Sequence, residues 1–266
     1  MQFPEIDPFI IRFSETIGIR WYSLPYIFGF FMSKFNLKKV NKYKKFATKE
    51  QLDNVAMVSL ISIIFGARIG YILVYDLSYF INSPLEIFSI WNGGLSFYGG
   101  LIGFAIGACL YSKNANIGIN YIFDSTAFAV PISIFFGRIA NFINAELYGR
   151  PTNSAIGVIF PTDPLGLPRH PSQLYESAIE GILLFLVIFL LSRNKRIASI
   201  PYSLSLSFAI LYPFFRFFLE FFREPDQQIG FLFNYITMGQ ILCVVFFIAA
   251  LLSAVYYYKQ RVKGKG

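Results

Sequence analysis

Charge is scarce in this 266-residue sequence: 14% of its residues are Asp, Glu, Lys or Arg, while 55% are hydrophobic. A soluble globular chain carries about 25% charged residues, so a free-standing soluble fold is excluded. Histidine is nearly missing, with His170 the single one, and cysteine occurs twice, at Cys109 and Cys243. No CxxC pair and no Cys/His cluster is present, which leaves a zinc site or a disulfide framework without support. The two thiols lie in separate apolar runs and read as small buried hydrophobes. A cleavable leader is not expected either. The first sixteen residues carry Glu5, Asp7 and Glu15 where a leader has a basic stretch and an apolar core. No polar stretch is long enough to bury a core of its own, so residues 1–266 are expected to form a single integral-membrane domain.

Apolar residues dominate instead. Phe occurs 32 times, and the mean hydropathy is +0.54. Apolar segments fall at about 19–35, 52–75, 95–112, 121–143, 175–192, 200–222 and 235–258, each near the roughly 20 residues that a spanning helix needs. The expected fold is an all-α polytopic membrane protein, a bundle of about seven transmembrane helices. Its connections are 36–51, 76–94, 113–120, 144–174, 193–199 and 223–234.

Basic residues orient such a bundle. The connection 36–51, with its flanks, holds Lys34, Lys38, Lys39, Lys42, Lys44, Lys45 and Lys49. Lys113, then Arg193, Lys195 and Arg196, then Lys259, Arg261, Lys263 and Lys265 occupy the alternate loops and the tail. These fifteen of the 23 basic residues share one side, expected to be the cytoplasm. The N-terminus is then outside, the C-terminus inside, and 144–174 is an outer loop. The other eight are Arg12, Arg20, Arg68, Arg138, Arg150, Arg169, Arg216 and Arg223, every one an arginine. Arginine presents a planar fork that grips phosphate or carboxylate through two hydrogen bonds. Pairing with the acids of the outer face is one explanation of this set. An anion site in the outer leaflet is the other.

Spacing narrows the candidates. In "LYPFFRFFLEFFREPD", Tyr212, Arg216, Glu220 and Arg223 are separated by four, four and three residues, one stripe on an otherwise aromatic helix. Such a stripe faces the bundle interior or a water-filled cavity, although an internal Arg216–Glu220 pair one turn apart would also neutralise both charges. Arg138 and Asn141 share a face of the fourth segment, and Glu146 joins them only if the helix ends near Asn144. Gly66 and Gly70, then Gly99, Gly103 and Gly107, recur every fourth residue, a spacing that lets helices approach closely. The stretch "WNGGLSFYGG" could offer backbone N–H groups to an anion, but a tight turn explains it as well. His170, in "LPRHPSQLYE", lies in the same outer loop system as the arginines.

Six ordered stretches carry a family likeness. "RWYSLPY", "GARIGYIL", "GGLSFYGGLIG", "GRIANFINAELYGRPT", "RHPSQLYE" and "FFREPDQQ" resemble the motifs of the prolipoprotein diacylglyceryl transferases, from Phe3 to "ITMGQIL" near Gln240. The resemblance implies a seven-span enzyme of the bacterial inner membrane, with its active site toward the outer leaflet. Its implied partners are phosphatidylglycerol, the lipobox region of a prolipoprotein signal peptide, and the bilayer itself. The diacylglyceryl group passes to the lipobox cysteine thiol, a thioether forms and glycerol phosphate leaves. The implied site residues are Tyr22, Arg68, Arg138, Asn141, Glu146, Gly149, Tyr212, Arg216, Glu220 and Arg223. Many members have histidine where this chain has Tyr98, so Tyr98 and His170 both stand as candidates for the base. Arg138 and Arg216 are expected to converge on the lipid phosphate, with Glu146 and Glu220 orienting their guanidinium groups. No metal, cofactor or nucleic acid is expected. A transporter of an anionic lipid would show inverted repeats, and none is found. An intramembrane protease would need a Gly-x-Ser-x-Gly elbow or an aspartate pair, and neither is recognisable.

Overall fold

Where water does not reach, each backbone N–H and C=O must be satisfied within its own segment, so apolar runs fold as helices. The computed structural model describes residues 1–14, 18–89, 94–225, 231–232 and 235–263, with the backbone alone for 75, 97, 98, 262 and 263. The long helices are α1 (Leu24–Lys44), α2 (Lys49–Tyr75), α3 (Phe97–Ala115), α4 (Ile119–Ile143), α5 (Ser172–Arg193), α6 (Ser203–Leu219) and α7 (Met238–Lys263). Among the described residues, four helices are long and apolar enough to cross a membrane: Lys49–Val74, Ile119–Ile143, Ser172–Arg193 and Met238–Arg261. Ser203–Leu219 is apolar but shorter.

The boundaries differ from expectation in an informative way. The lysine-rich stretch after residue 35 is not a loop, because α1 runs on to Lys44. Lysine is a good helix former, and Lys42 and Lys44 in the last turn complement the negative end of the helix dipole. Lys45 then takes φ 48°, and Thr48 with Gln51 closes a capping box on α2. The connection 76–94 likewise contains a helix, Leu77–Asn82, and a 3-10 turn, Pro84–Phe88.

The chain divides into two units, residues 30–125 and residues 1–29 with 126–266. In the first, glycines bring α2 and α3 together. A Cβ on Gly66 would stand 2.6 Å from the Gly103 Cα, and one on Gly70 would stand 2.6 Å from the Gly99 Cα. The four-residue spacing is therefore spent on packing. Ser96 caps α3 by accepting from Gly99 N at 3.2 Å, and Gly100 N donates to Ser96 O at 3.0 Å. Those two amides are already satisfied, which removes them from any anion cradle. Leu37, Leu52, Val55, Phe104, Ala108, Ile117 and Ile122 form the buried core of this unit.

Among the described residues, the second unit holds the end of α4, then α5, α6 and α7, and three short antiparallel ladders. They are β1 (Phe9–Arg12) with β2 (Gly18–Arg20), β3 (Val158–Ile159) with β4 (Pro168–Arg169), and β5 (Phe231–Leu232) with β6 (Ile236–Thr237). Phe3, Phe142 and Tyr148 pack around Ala145, Val158 and Phe160, giving the long loop after α4 a small core of its own.

Candidate active site

The site assembles where α4 stops. After Ile143, Ala145 (φ 53°) and Leu147 (φ 57°) turn the chain back on itself. Glu146 N then donates to Asn141 O at 3.0 Å. Asn141 Nδ2 donates to Glu146 Oε1 at 2.9 Å and also to the Tyr22 hydroxyl oxygen. Burial pushes the Glu146 carboxyl above its usual range. The turn is fastened to α5, because Gln173 Nε2 donates to Glu146 O at 2.7 Å and Ser172 Oγ to Leu147 O at 3.2 Å.

Helix α5 contributes two carboxylates from inside an apolar span. Its middle, Ser177–Leu183, is a π-helical turn, a wider winding that recurs at functional sites. Gly181 lies in that turn, and a Cβ there would meet Phe135 Cα of α4 at 2.8 Å, so the two helices touch backbone to backbone. Glu176 and Glu180 are thereby held toward α4 and α6, at 1% and 0% exposure. Arg138 Nε reaches Glu176 Oε2 at 2.6 Å, and Arg216 Nη1 reaches Glu176 Oε1 at 2.8 Å. Arg223 Nη1 lies 3.7 Å from the same Oε1. Arg216 also meets Glu180 at 3.5 Å and Glu220 at 2.6 Å. Thr237 Oγ1 donates to the other oxygen of Glu220 at 3.2 Å. Three arginines and three glutamates thus form one cluster, with Tyr212 within electrostatic reach. The stripe survives the end of α6 at Leu219, because the turn through Phe222 carries Arg223 back to Glu176.

The remaining expected residues have partners of their own. Gly149 N donates to His170 O at 2.8 Å, and a Cβ there would come within 2.8 Å of His170 Cβ, so only glycine fits. His170 Nδ1 is 3.1 Å from the Tyr175 hydroxyl, its ring edge faces Phe222, and burial lowers its pKa, which keeps the imidazole neutral near pH 7. Glu146 meets Asn141 and not a guanidinium, which corrects its expected partner. Arg68 belongs to the 30–125 unit. There it donates to the carbonyls of Glu86 (2.5 Å) and Ile87 (3.0 Å), a use that accounts for it structurally. The side chain of Tyr98 lies outside the described residues.

The arginines now sort themselves. Arg12 pairs with Asp7, Arg20 lies over the Phe9 ring, and Arg150 donates to the Arg223 and Glu220 carbonyls. Arg169 grips Asp163 by two bonds, at 2.8 and 2.9 Å, and meets Glu224 at 3.0 Å. With Arg68, these five have local structural partners. Arg138, Arg216 and Arg223 alone gather on Glu176.

Arg169 holds the Asp163 carboxyl below the usual carboxylate range, helped by the amides of Leu165 and Leu167. A depressed folded-state pKa adds stability above the unfolded value, about 3.9, which is lost as pH falls through the folded one. Protection factors for hydrogen exchange in residues 145–170, which remove the intrinsic pH dependence of amide exchange, are accordingly expected to fall below about pH 4. Asp163→Asn should show the low protection at neutral pH and little further change on acidification. Slow exchange in Asp163→Asn at neutral pH would show that the aromatic core alone orders this loop.

Glu176 and Glu180 are absent from the expected site, yet a signal for them exists. Two acids one turn apart inside an apolar span are costly, and they are opposite in charge to the arginines of the α6 stripe and repeat its four-residue spacing.

The fold and this centre define a polytopic helical membrane protein with a buried arginine–glutamate cluster at the end of its α4 and α6 helices. The family model described as prolipoprotein diacylglyceryl transferase matches residues 8–256. A phosphatidylglycerol–prolipoprotein diacylglyceryl transferase of Ehrlichia canis is 49% identical over 229 residues, 86% of this chain and 87% of that protein. The Geobacter sulfurreducens enzyme of the same name is 41% identical over 263 residues, covering 98% and 99%. One from Rickettsia bellii is 44% identical over 244 residues, covering 91% and 92%. The chain belongs to the prolipoprotein diacylglyceryl transferase family and is a transferase.

Proposed function

We propose that this chain moves the diacylglyceryl group of phosphatidylglycerol onto the thiol of a lipobox cysteine, forming a thioether and releasing glycerol phosphate. The observation that carries this reading is the convergence of Arg138, Arg216 and Arg223 on Glu176. The thiolate attacks the glycerol carbon that bears the phosphate ester, the carbon–oxygen bond breaks, and negative charge grows on the departing phosphate. Guanidinium groups fixed in advance by carboxylates stabilise that charge without reorganising, and one such donor is worth roughly 2.7–4 kcal/mol. The same field favours thiolate over thiol, whose ordinary pKa is about 8.5. Asn141, held between Tyr22 and Glu146, supplies a neutral polar group beside Arg138. Neutral His170 is available as the base, with Tyr98 the other candidate. Gly149 shapes the loop, and Tyr212, Glu220 and Arg223 complete the stripe.

The direct test is the purified chain with phosphatidylglycerol and a lipobox peptide. Thioether formation is expected, and lipid movement across vesicles without thioether formation would make it a transporter.

Seven spans in the bacterial inner membrane, N-terminus outside, with the cluster in the outer leaflet, complete the proposal. The fifteen-to-eight split of basic residues supports it. A cysteine at position 82 is expected to react with a membrane-impermeant reagent in intact cells, and those at 44, 116 and 195 only after lysis. Asp163 is also expected outside, and because it is buried against Arg169 the exposed Leu165 beside it carries the probe. Gln228, also expected outside, lies beyond the described residues. Reaction at position 44 in intact cells would reverse the orientation.

A further inference from the structure

The lysines of α1 and α2 form more than a diffuse band of charge. Lys38 and Lys42 of α1 and Lys49 of α2 line a cleft of about 340 Å³ with Asn41 and Leu52. The cleft is built from fixed parts. Asn41 Nδ2 donates to Ala47 O at 2.8 Å and its Oδ1 accepts from Ala47 N at 2.9 Å, which locks the turn between the helices. Leu52 is buried at 3% exposure. The acid that reaches this group is Asp53, held by Lys34 at 2.8 Å, with Lys38 farther off at 3.9 Å. The cleft therefore keeps a net positive charge.

Its position on the helices adds a second, independent feature. Phe31, Phe35, Lys38 and Lys42 follow one another at four, three and four residues, so they share one face of α1. Phe31 and Phe35 are 61% and 56% exposed. On α2, Asp53, Met57 and Ile61 follow Lys49 at four-residue steps, with Met57 and Ile61 exposed at 49% and 44% and Asp53 paired with Lys34. The α1 face thus reads apolar, then cationic toward the cleft, and the α2 face does so with the Lys34–Asp53 pair between, the order in which acyl chains and an anionic head group lie in a bilayer. A pure topology signal needs charge on one side and no such alignment.

We propose that this cleft is a binding site for the phosphate of an anionic phospholipid, with the acyl chains along the exposed Phe and Met/Ile faces. It does not depend on the transferase reading, because the readout is lipid retained and not thioether formed. The test uses the full chain in phosphatidylcholine nanodiscs, titrated with phosphatidic acid, a probe that lacks the glycerol head group. Bound lipid is counted by native mass spectrometry. Wild type is expected to hold phosphatidic acid in preference to phosphatidylcholine. The Lys38→Gln/Lys42→Gln/Lys49→Gln variant should bind it about 100-fold more weakly, since each lysine contributes about fivefold. The matching Lys→Arg triple should bind as wild type does. Equal concentrations of inorganic phosphate should leave the lipid in place. Wild-type retention by the Gln triple, or full displacement by inorganic phosphate, would overturn the proposal. Lys39, Lys44 and Lys45 keep the orientation signal in the triple variant. Should the triple accumulate poorly, Lys42→Gln and Lys49→Gln singly are each expected to weaken binding about fivefold, and unchanged binding in both would equally overturn it.

Discussion

Arg138→Lys and Arg216→Lys are expected to accumulate in the membrane as wild type does and to lose transfer on the order of 100-fold. Lysine keeps the positive charge but is a point donor on a flexible stem, whereas arginine is a rigid fork. Arg138 uses that fork to touch Glu176 by Nε while Nη1 reaches Asn141 Oδ1 at 3.4 Å. Arg216 spreads its two terminal nitrogens over Glu176, Glu180 and Glu220. Neither division of contacts is open to an ammonium group. Alanine at either position should be at least as damaging. The measurement is the initial rate of thioether formation on a lipobox peptide, normalised to enzyme in the membrane. Near-wild-type rates for both lysine variants would reduce these arginines to buried charge partners.

The second large effect concerns Glu176. Its carboxylate is 1% exposed and faces Arg138, Arg216 and Arg223 together. Removing one partner of a buried ion pair costs about 3–5 kcal/mol, because the other charge is left uncompensated. Glu176→Gln strands cationic groups on α4, α6 and the turn after α6 at once. It should therefore lower both thermal stability in detergent and transfer rate, the latter on the order of 100-fold or more. Glu180→Gln should be milder, since among the described residues Glu180 is within ion-pair distance of one guanidinium, that of Arg216 at 3.5 Å, and Glu176 of three. Combining Glu176→Gln with Arg223→Gln should recover part of the stability but not the activity. If Glu180→Gln proved the more destabilising of the two, Glu176 would not be the centre of the cluster.

Much of this was legible in the linear chain. Membrane residence follows from composition, because 14% charge cannot dress a soluble surface. The helical runs follow from length and apolarity. The close-packing faces of α2 and α3 follow from glycine spacing, and the 212/216/220/223 stripe from helical periodicity. All of these are properties of one segment at a time, and a segment displays them in its own residue order. The end of α1 is not legible in the same way, because a run of lysines looks like a loop on a hydropathy scale, while lysine is a good helix former.

What the sequence by itself determined, then, is which side chains are available and which face of a helix each occupies. Only the tertiary structure decided which of eight arginines meet one another. Arg12, Arg20, Arg68, Arg150 and Arg169 are the same residue type in the same apolar chain, yet acids, ring faces or carbonyls claim them locally. Glu180 and Arg216 are 36 residues apart, on different helices. The approach of α5 to α4, across which Arg138 meets Glu176, relies on Gly181 lying against Phe135, and Glu180 itself lies in the π-helical turn. A helix periodicity contains no term for either, because each arises from how close two backbones can come before their side chains collide.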